Sequence, residues 1–423
     1  EVEALVAASL LQVQPYAADF VGSLDGYAVA LSQAPSIGQE ATDRFGMLET
    51  IHEFARDRLE ASGEAETVRR RHAEWCLQVA EATEPFNDRG LVNLIPGTTT
   101  EPAVDPQALA RKTRERLDLS SALEWALRTD EAEIAVRLGV AIGPWLAHPT
   151  IVGAYRSFER LVELARGLDS PARLVRSLHG LGKLAVLQGD GLAAERCFQE
   201  SLTICRADHD VVGISWLLND IGEALLAQDR WAEAINYLER AIAAKLQLGD
   251  VESALYTRAY LGEALRAGGR WSEARRCYEL CLEVDDPEDR GGGWSRTNLG
   301  WMCWRMGDVV DAARHFSTAL GGLSRHDKGA RILAMVGAAG IGAIAVSRGD
   351  PKPGIRLLSA MQQALRDEKW FNLRLDRRDI DAAITAARAT IPTAVWDEAW
   401  AQGAILGWDA AMALAKALAT AVR

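Results

Sequence analysis

The sequence predicts an all-α solenoid in which pairs of helices repeat about every 40 residues. The first observation concerns five regularly spaced glycines. Each is followed by a small residue 12 positions later and by a large apolar residue 16 positions later, as Gly222 is by Ala234 and Leu238. The second is a helix-breaking residue about seven positions after each glycine. A period of this kind is typical of a stacked array. The glycines that define it are Gly182, Gly222, Gly262, Gly300 and Gly342.

Each unit is expected to contain a helix A, which carries the glycine, and a helix B, which carries the small and the large residue. The glycine and the small residue allow helices A and B of one unit to approach closely, and we expect the large apolar residue to fill the space against the next unit. A sixth, degenerate unit is predicted before these five, with Ile142 and Gly143 in place of the apolar residue and the glycine.

Composition excludes several classes of protein. Lys and Arg number 47 against 59 Asp and Glu, and a net charge of −12 argues against binding to a nucleic-acid backbone. The longest uncharged apolar stretch, residues 332–347, is shorter than the ~18–20 residues of a membrane helix. Six scattered cysteines without a CxxC pair predict a cytoplasmic protein without a disulfide framework. The chain starts without Met inside a helical pattern, so we expect it to be part of a longer polypeptide.

Motifs for catalysis, cofactors and metals are missing from the sequence. It contains no GxxxxGK[ST] phosphate loop, no HExxH zinc motif and no GxSxG nucleophile turn. The pair Cys277 and Cys281 is expected to be buried and not to bind a metal. We therefore predict no metal, no cofactor and no enzymatic activity.

The repeat pattern resembles the tetratricopeptide repeat. The resemblance depends on Gly222, Ala234, Leu238, Ala241 and their counterparts, and covers roughly residues 140–365. The period of ~40 departs from the usual 34. Longer units of this sort resemble those in the sensor arms of bacterial signal-transducing ATPases.

The N-terminal region resembles the end of the winged-helix module and the linker in AfsR-like and LuxR-like regulators of the STAND class of signal-transducing ATPases. The resemblance depends on three features: a strand pattern at residues 5–11, a short strand-like alternation of residues that gives way to helical spacing within residues 44–55, and the start of a second helix at residues 68–76. It implies an adjoining nucleotide-binding domain that is absent from this chain. Residues 15–42 are expected to form an enlarged wing loop, and residues 87–106 an irregular insert.

Four segments are predicted from these patterns: a winged-helix remnant at residues 1–60, a helical linker at 61–130, the repeats at 131–370 and capping helices at 371–423. The tryptophans of the last segment, Trp396, Trp400 and Trp408, are assigned to packing.

The candidate functional surface is a second face of helix A. It lies about 130° around the helix axis from the packed face, which carries the repeat glycine, and it lines the groove of a superhelix. Aromatic side chains interleaved with charged ones predict a ligand groove there. The alternative is that some tryptophans pack between neighbouring repeats. The predicted groove residues are Arg176, His179, Lys183, Trp216, Asn219, Glu223, Tyr256, Glu263, Arg266, Trp294, Trp301 and Trp304.

Three functions remain open. The first is a sensor arm that binds a small molecule, a peptide or a protein in the groove and biases an adjoining ATPase. The second is a constitutive scaffold that holds a peptide without switching. The third, supported only by the proximity of Glu223 and Glu263, is an enzyme with its site in the groove. Direct nucleic-acid and membrane partners are not expected.

Overall fold

The computed structural model describes residues 11–14, 44–47, 49–82, 111, 114–146, 151–283, 290–321, 328–367 and 374–422. In these residues we number two strands and 18 helices in chain order. They are β1 (Leu11–Gln14), β2 (Arg44–Met47), α1 (Glu49–Ser62), α2 (Ala65–Glu81), α3 (Arg116–Arg128), α4 (Ala132–Leu146), α5 (Ile151–Arg166), α6 (Pro171–Gln188), α7 (Gly191–Ala207), α8 (Val211–Ala227), α9 (Trp231–Gln247), α10 (Val251–Ala267), α11 (Trp271–Leu282), α12 (Arg290–Arg305), α13 (Val309–Gly321), α14 (Lys328–Ser347), α15 (Pro351–Asp367), α16 (Arg374–Thr390), α17 (Thr393–Ala404) and α18 (Trp408–Val422). The fold is all-α, as predicted, and none of the described helices is both long and apolar enough to span a membrane.

The N-terminal elements follow the predicted order of strand, helix and helix. Strands β1 and β2 pair antiparallel, with Leu11 opposite Met47. Helix α1 ends before Gly63, whose φ of +75° is a conformation that glycine adopts readily. The predicted wing loop at 15–42, the insert at 87–106 and most of the predicted first strand lie outside the described residues.

Residue contacts divide the chain into two compact units, one of residues 1–89, 93–96 and 101–180, the other of residues 90–92, 97–100 and 181–423. In the first unit Arg137 binds Glu81 through two hydrogen bonds of 2.8 and 2.7 Å. The predicted role of Gly143 is wrong: its φ of +71° interrupts α4, and Gly139 instead lies against Leu161 of α5. A glycine with positive φ ends a helix, so it cannot serve as a packing position within one.

The second unit contains the predicted helix pairs. Helices α8, α10, α12 and α14 are A helices, and α7, α9, α11, α13 and α15 are the B helices that follow an A helix. The breaker positions are confirmed, because the residue between A and B has a positive φ in every pair: Gly189, Asp229, Gly269, Gly307 and Gly349.

Close approach of A and B explains the glycine period. A Cβ atom built on Gly222 would lie 2.6 Å from Leu238 Cγ, and one on Gly182 would lie 2.5 Å from Phe198 Cε1. The large apolar residue therefore covers the glycine of its own unit, a contact that was not predicted from the sequence and that adds to the expected contact with the next unit. Phe316 does both, since it lies against Gly300 of its own unit and against Gly340 of the next.

The C-terminal helices end the array without continuing its order. Helix α17 packs on α15, where Ser359 Oγ donates a 2.8 Å hydrogen bond to the carbonyl of Trp400, and α18 packs on α14 and α13. Trp396 is buried and stacks on Trp400 at 5.2 Å. Helix α16 packs mainly against the A helix α14, with smaller contacts to α12 and α15.

Candidate binding site on the A helices

The predicted groove residues are split between the two units. Arg176 and His179 belong to the first unit, where both are buried and where burial lowers the pKa of Arg176 to about 10, an effect that the charge of Glu81 partly offsets. The other ten lie in the second unit, on the end of α6 and on α8, α10 and α12. We define the A-helix site by seven residues of the second unit: Lys183, Asn219, Asp220, Glu223, Tyr256, Tyr260 and Trp294.

A charged cluster joins two neighbouring repeats. Lys183 Nζ lies 2.7 Å from Glu223 Oε2 and 3.5 Å from Asp220 Oδ1. Burial alone would lower the pKa of Lys183, but the two carboxylates outweigh burial and raise it, so the ammonium stays charged. Lys183 and Glu223 occupy equivalent positions, each directly after its repeat glycine, and Asp220 lies three residues before Glu223 on α8.

An aromatic row lies beside this cluster. The phenol oxygens of Tyr256 and Tyr260 are 3.1 Å apart, and the Tyr260 ring meets the Trp294 ring edge to face at 4.8 Å. Burial and the charge of Glu223 raise the pKa of both tyrosines, so both remain neutral hydrogen-bonding groups. Tyr256 is 36% exposed and Trp294 is half-buried, so two of the predicted aromatic residues present surface to solvent.

One buried amide has unused hydrogen-bonding capacity. Asn219 is 1% exposed, and its Nδ2 lies 3.5 Å from Asp220 Oδ1. Its Oδ1 has no hydrogen-bond partner among the described residues. A buried acceptor without a partner is unfavourable, so a ligand N–H that reached it would gain a full hydrogen bond.

Burial removes two predicted aromatic residues from the site. Trp301 is fully buried, with its ring edge to face with Trp304 at 5.6 Å and Phe316 at 5.3 Å, so it offers no surface to a ligand. Trp216 is 6% exposed, and the ammonium of Lys245 covers its ring at 3.6 Å from the centroid. Both side chains fill space between helices, because units of about 40 residues have extra helix length to bury.

The remaining predicted residues are also buried to different degrees. Glu263 and Arg266 are 9% and 5% exposed, and Arg266 Nη1 lies 2.8 Å from Asp379 Oδ2 of α16. Trp304 is half-buried against the core formed by α14 and its neighbours.

Sequence reasoning missed Asp220, Tyr260, Lys245 and Asp379. Asp220 and Tyr260 lie two residues before their repeat glycines, a position that the helical wheel places beyond the predicted groove face, on the side away from the packed face. Lys245 belongs to a B helix, and Asp379 to a helix more than 100 residues away from its partner, so the repeat pattern carried no signal for either.

Three potential metal ligands come together in the described part of the chain. The ligand atoms of Cys303, Asp308 and Asp311 lie within 4.8 Å of one another. Asp308 Oδ1 accepts the backbone N–H of Asp311 at 3.1 Å, and Asp311 binds Arg314 at 2.8 Å. These bonds are those of a helix start and of a surface ion pair, and they account for the position of both carboxylates.

Lys245 predicts a specific pH dependence of stability. The side chain is fully buried and donates a 3.0 Å hydrogen bond to Thr257 Oγ1, and burial lowers its pKa from 10.5 to about 8. Between pH 8 and 10.5 the unfolded chain holds this proton and the folded chain does not, so the contribution of Lys245 to stability is expected to rise with pH in that window by up to about 3 kcal/mol. The thiols of Cys76, Cys205 and Cys277 contribute in the opposite direction, because burial raises their pKa values.

The measurement is the free energy of unfolding by urea from pH 7 to 10.5 for the wild type and for Lys245→Met. The difference in stability between the wild type and Lys245→Met should change with pH by this amount, whereas the difference for Lys416→Met, at an exposed lysine, should stay constant. A parallel pH profile for wild type and Lys245→Met would contradict the assignment.

Comparison with known proteins identifies the repeats. The family model for the tetratricopeptide repeat matches residues 173–247 and 250–324. These two stretches are tetratricopeptide repeats. The repeat type predicted from the glycine spacing is thereby confirmed for α6 to α13, and the A-helix site lies within the matched residues.

Two solved structures resemble the chain at low sequence identity. The apo form of the quorum sensor NprR from B. thuringiensis is 12% identical, with 67% of this chain and 85% of that chain covered and a TM-score of 0.48. A circular tandem repeat protein with novel repeat topology is 16% identical, with 88% and 87% covered and a TM-score of 0.23. No curated protein matches the sequence.

Proposed function

We propose that the tetratricopeptide repeats bind a peptide or a protein segment at the A-helix site, between Lys183 and Trp294. The observation that carries this proposal is the position of the Lys183 cluster beside a half-exposed aromatic row. Tyrosine and tryptophan supply rigid contact area, and the charges orient a polar chain.

We further propose that the chain is a regulatory arm of a signal-transducing ATPase of the STAND class, with residues 45–76 as the transmitting linker. The antiparallel pair β1–β2 followed by α1 and α2 supports this context, because it matches the order of elements expected at the end of a winged-helix module. The test is to read the coding sequence upstream of Glu1, where a GxxxxGK[ST] loop is expected. An upstream region that encodes a different kind of domain would contradict the proposal.

Binding at the A-helix site predicts a separation of affinity from stability. The probe is a peptide selected by the wild-type chain from a random peptide display library. Tyr256→Ala and Trp294→Ala are each expected to weaken binding of this peptide by about 1–3 kcal/mol, because exposed aromatic residues contribute more to binding than to folding. Isothermal titration calorimetry gives the affinity, and a thermal melt of the same sample gives the stability.

The matched control is Tyr237→Ala. Tyr237 is half-buried on the B helix α9, where its hydroxyl accepts a 3.0 Å hydrogen bond from Gln199. It should leave affinity unchanged. Equal loss of affinity in Tyr237→Ala and Tyr256→Ala would place the peptide elsewhere and end the proposal.

A constitutive scaffold is the second candidate, and it makes a different prediction. A sensor arm changes its conformational equilibrium when the ligand binds, whereas a scaffold does not. Hydrogen exchange of α1 and α2 with and without saturating peptide separates the two. A change confined to the A-helix site favours the scaffold, and a change that extends to α1 and α2 favours the sensor.

A further inference from the structure

Helix α16 does not take the position that the next A helix of the repeat array would have. In the described residues every B helix from α7 to α13 is followed by an A helix that packs on it, but α15 is packed by α17, and α14 by α18. Helix α16, between α15 and α17 in sequence, instead packs mainly on the A helix α14, with smaller contacts to α12 and α15. The end of the array is therefore closed by α17 and α18, and α16 is an addition to the A-helix side.

One carboxylate fixes α16 to two different repeats. Asp379 Oδ2 lies 2.8 Å from Arg266 Nη1 of α10, and Asp379 Oδ1 lies 2.8 Å from Arg305 Nε of α12. Arg266 and Asp379 are both buried, and Arg305 is partly exposed. Two guanidinium groups on one carboxylate form a recognition pair that favours a planar anion in this orientation.

The apolar contact of α16 is narrow. Ile380 and Ala383 enter the core beside α14, and Ala387 packs against Trp396 of α17. The neighbouring Arg377 and Arg378 are exposed, and Arg378 reaches Asp229 in the turn between α8 and α9 at 3.1 Å. Helix α16 is thus held by one row of apolar residues, which also includes Ile384, and by ion pairs, in the manner of a helical ligand laid on a groove.

The buried ion pair gives specificity more than strength. Burial raises the pKa of the Asp379 carboxyl above its ordinary value, and the two arginines offset this effect only in part. Desolvation of the pair therefore offsets part of its attraction, so the pair fixes the position of α16 more than it strengthens its binding.

We propose that α16 is an intramolecular ligand, and that the surface beneath it, centred on Arg266 and Arg305, is a second binding site for an amphipathic helix of a partner protein that carries a carboxylate at the position of Asp379. The partner helix replaces α16. The site lies apart from Tyr256 and Trp294 in its chemistry, since it recognises an anion, and the proposal holds whether or not the A-helix site binds a peptide.

Hydrogen exchange on the full wild-type chain tests the release of α16. Amides of α16 should exchange at least about tenfold faster than those of α10 and α14, because local opening needs less free energy than unfolding of the array. Asp379→Asn should raise exchange in α16 by about a further tenfold and leave α10 unchanged. Asp381→Asn is the matched control, since Asp381 is exposed on the same helix and its Oδ1 accepts a 3.1 Å hydrogen bond from Gln362.

A peptide in trans tests the site itself. The probe is a fluorescent peptide with the sequence of residues 374–390, added to the full-length wild-type, Asp379→Asn and Asp381→Asn chains, with fluorescence anisotropy as the readout. Weakening of its own α16 should let the Asp379→Asn chain bind the peptide at least about tenfold more tightly than the other two chains do. The same peptide with Asp379→Asn should bind that chain about tenfold more weakly than the original peptide.

Three results would overturn the proposal. In the first, the amides of α16 in the wild type exchange only as fast as those of α14. In the second, the peptide binds the three chains with equal affinity, and in the third, the two peptides bind the Asp379→Asn chain with equal affinity. The first result is obtained without any substitution, so the proposal stays testable even if Asp379→Asn fails to fold. If peptide 374–390 does not bind while the selected peptide still binds at Tyr256 and Trp294, this inference alone is refuted.

Discussion

Replacement of Gly222 by leucine is expected to lower the free energy of unfolding by about 3 kcal/mol or more, because it forces a side chain into the closest helix contact of its repeat. The Cβ alone would lie 2.6 Å from Cγ and 2.7 Å from Cδ2 of Leu238, which is itself fully buried. Because Leu238 is fully buried, we expect helices α8 and α9 to move apart to admit the new side chain. Urea unfolding at pH 7 measures the change.

Two further variants show whether this contact is the cause. Gly407→Leu changes a glycine with nothing within 4 Å of its Cβ position, and we expect it to cost less than about 1 kcal/mol. Addition of Leu238→Ala to Gly222→Leu should recover part of the lost stability, because the two residues are in direct contact and their effects are not additive. A Gly222→Leu chain that unfolds like the wild type would show that the repeat register is wrong.

The sequence contained enough information to predict the repeats, because their register depends on local packing rules. A glycine, a small residue 12 positions later and a large one 16 positions later satisfy one contact between adjacent helices, as at Gly262 and Tyr278. The positive φ between A and B is likewise a local requirement, met by Gly269 in that repeat. Where the chain departs from the rule the prediction was wrong, as at Gly143.

The candidate site was less predictable, because the face of a helix does not determine what covers it. Lys183 and Glu223 were expected on one surface and lie in one ion pair, but the wheel could not show that Asp220 joins them. The same wheel placed Arg266 on an open surface, whereas Asp379 of α16 covers it. Contacts over such sequence separations depend on the tertiary path of the chain and not on any period.

Trp301→Ala is expected to lower the free energy of unfolding by roughly 3–5 kcal/mol, in contrast to the small effect of Trp294→Ala on stability. The Trp301 ring is fully buried against Trp304 and Phe316, so its removal leaves a cavity in the core between α12 and α13. Trp301→Phe should cost much less, at about 1–2 kcal/mol, because it keeps an aromatic ring there and removes an indole N–H that has no hydrogen-bond partner among the described residues. Urea unfolding of the three variants gives the stabilities, and the selected peptide gives the affinities. If Trp301→Ala instead weakened peptide binding and left unfolding unchanged, the ring would face a ligand in solution, and its place in the core would be refuted.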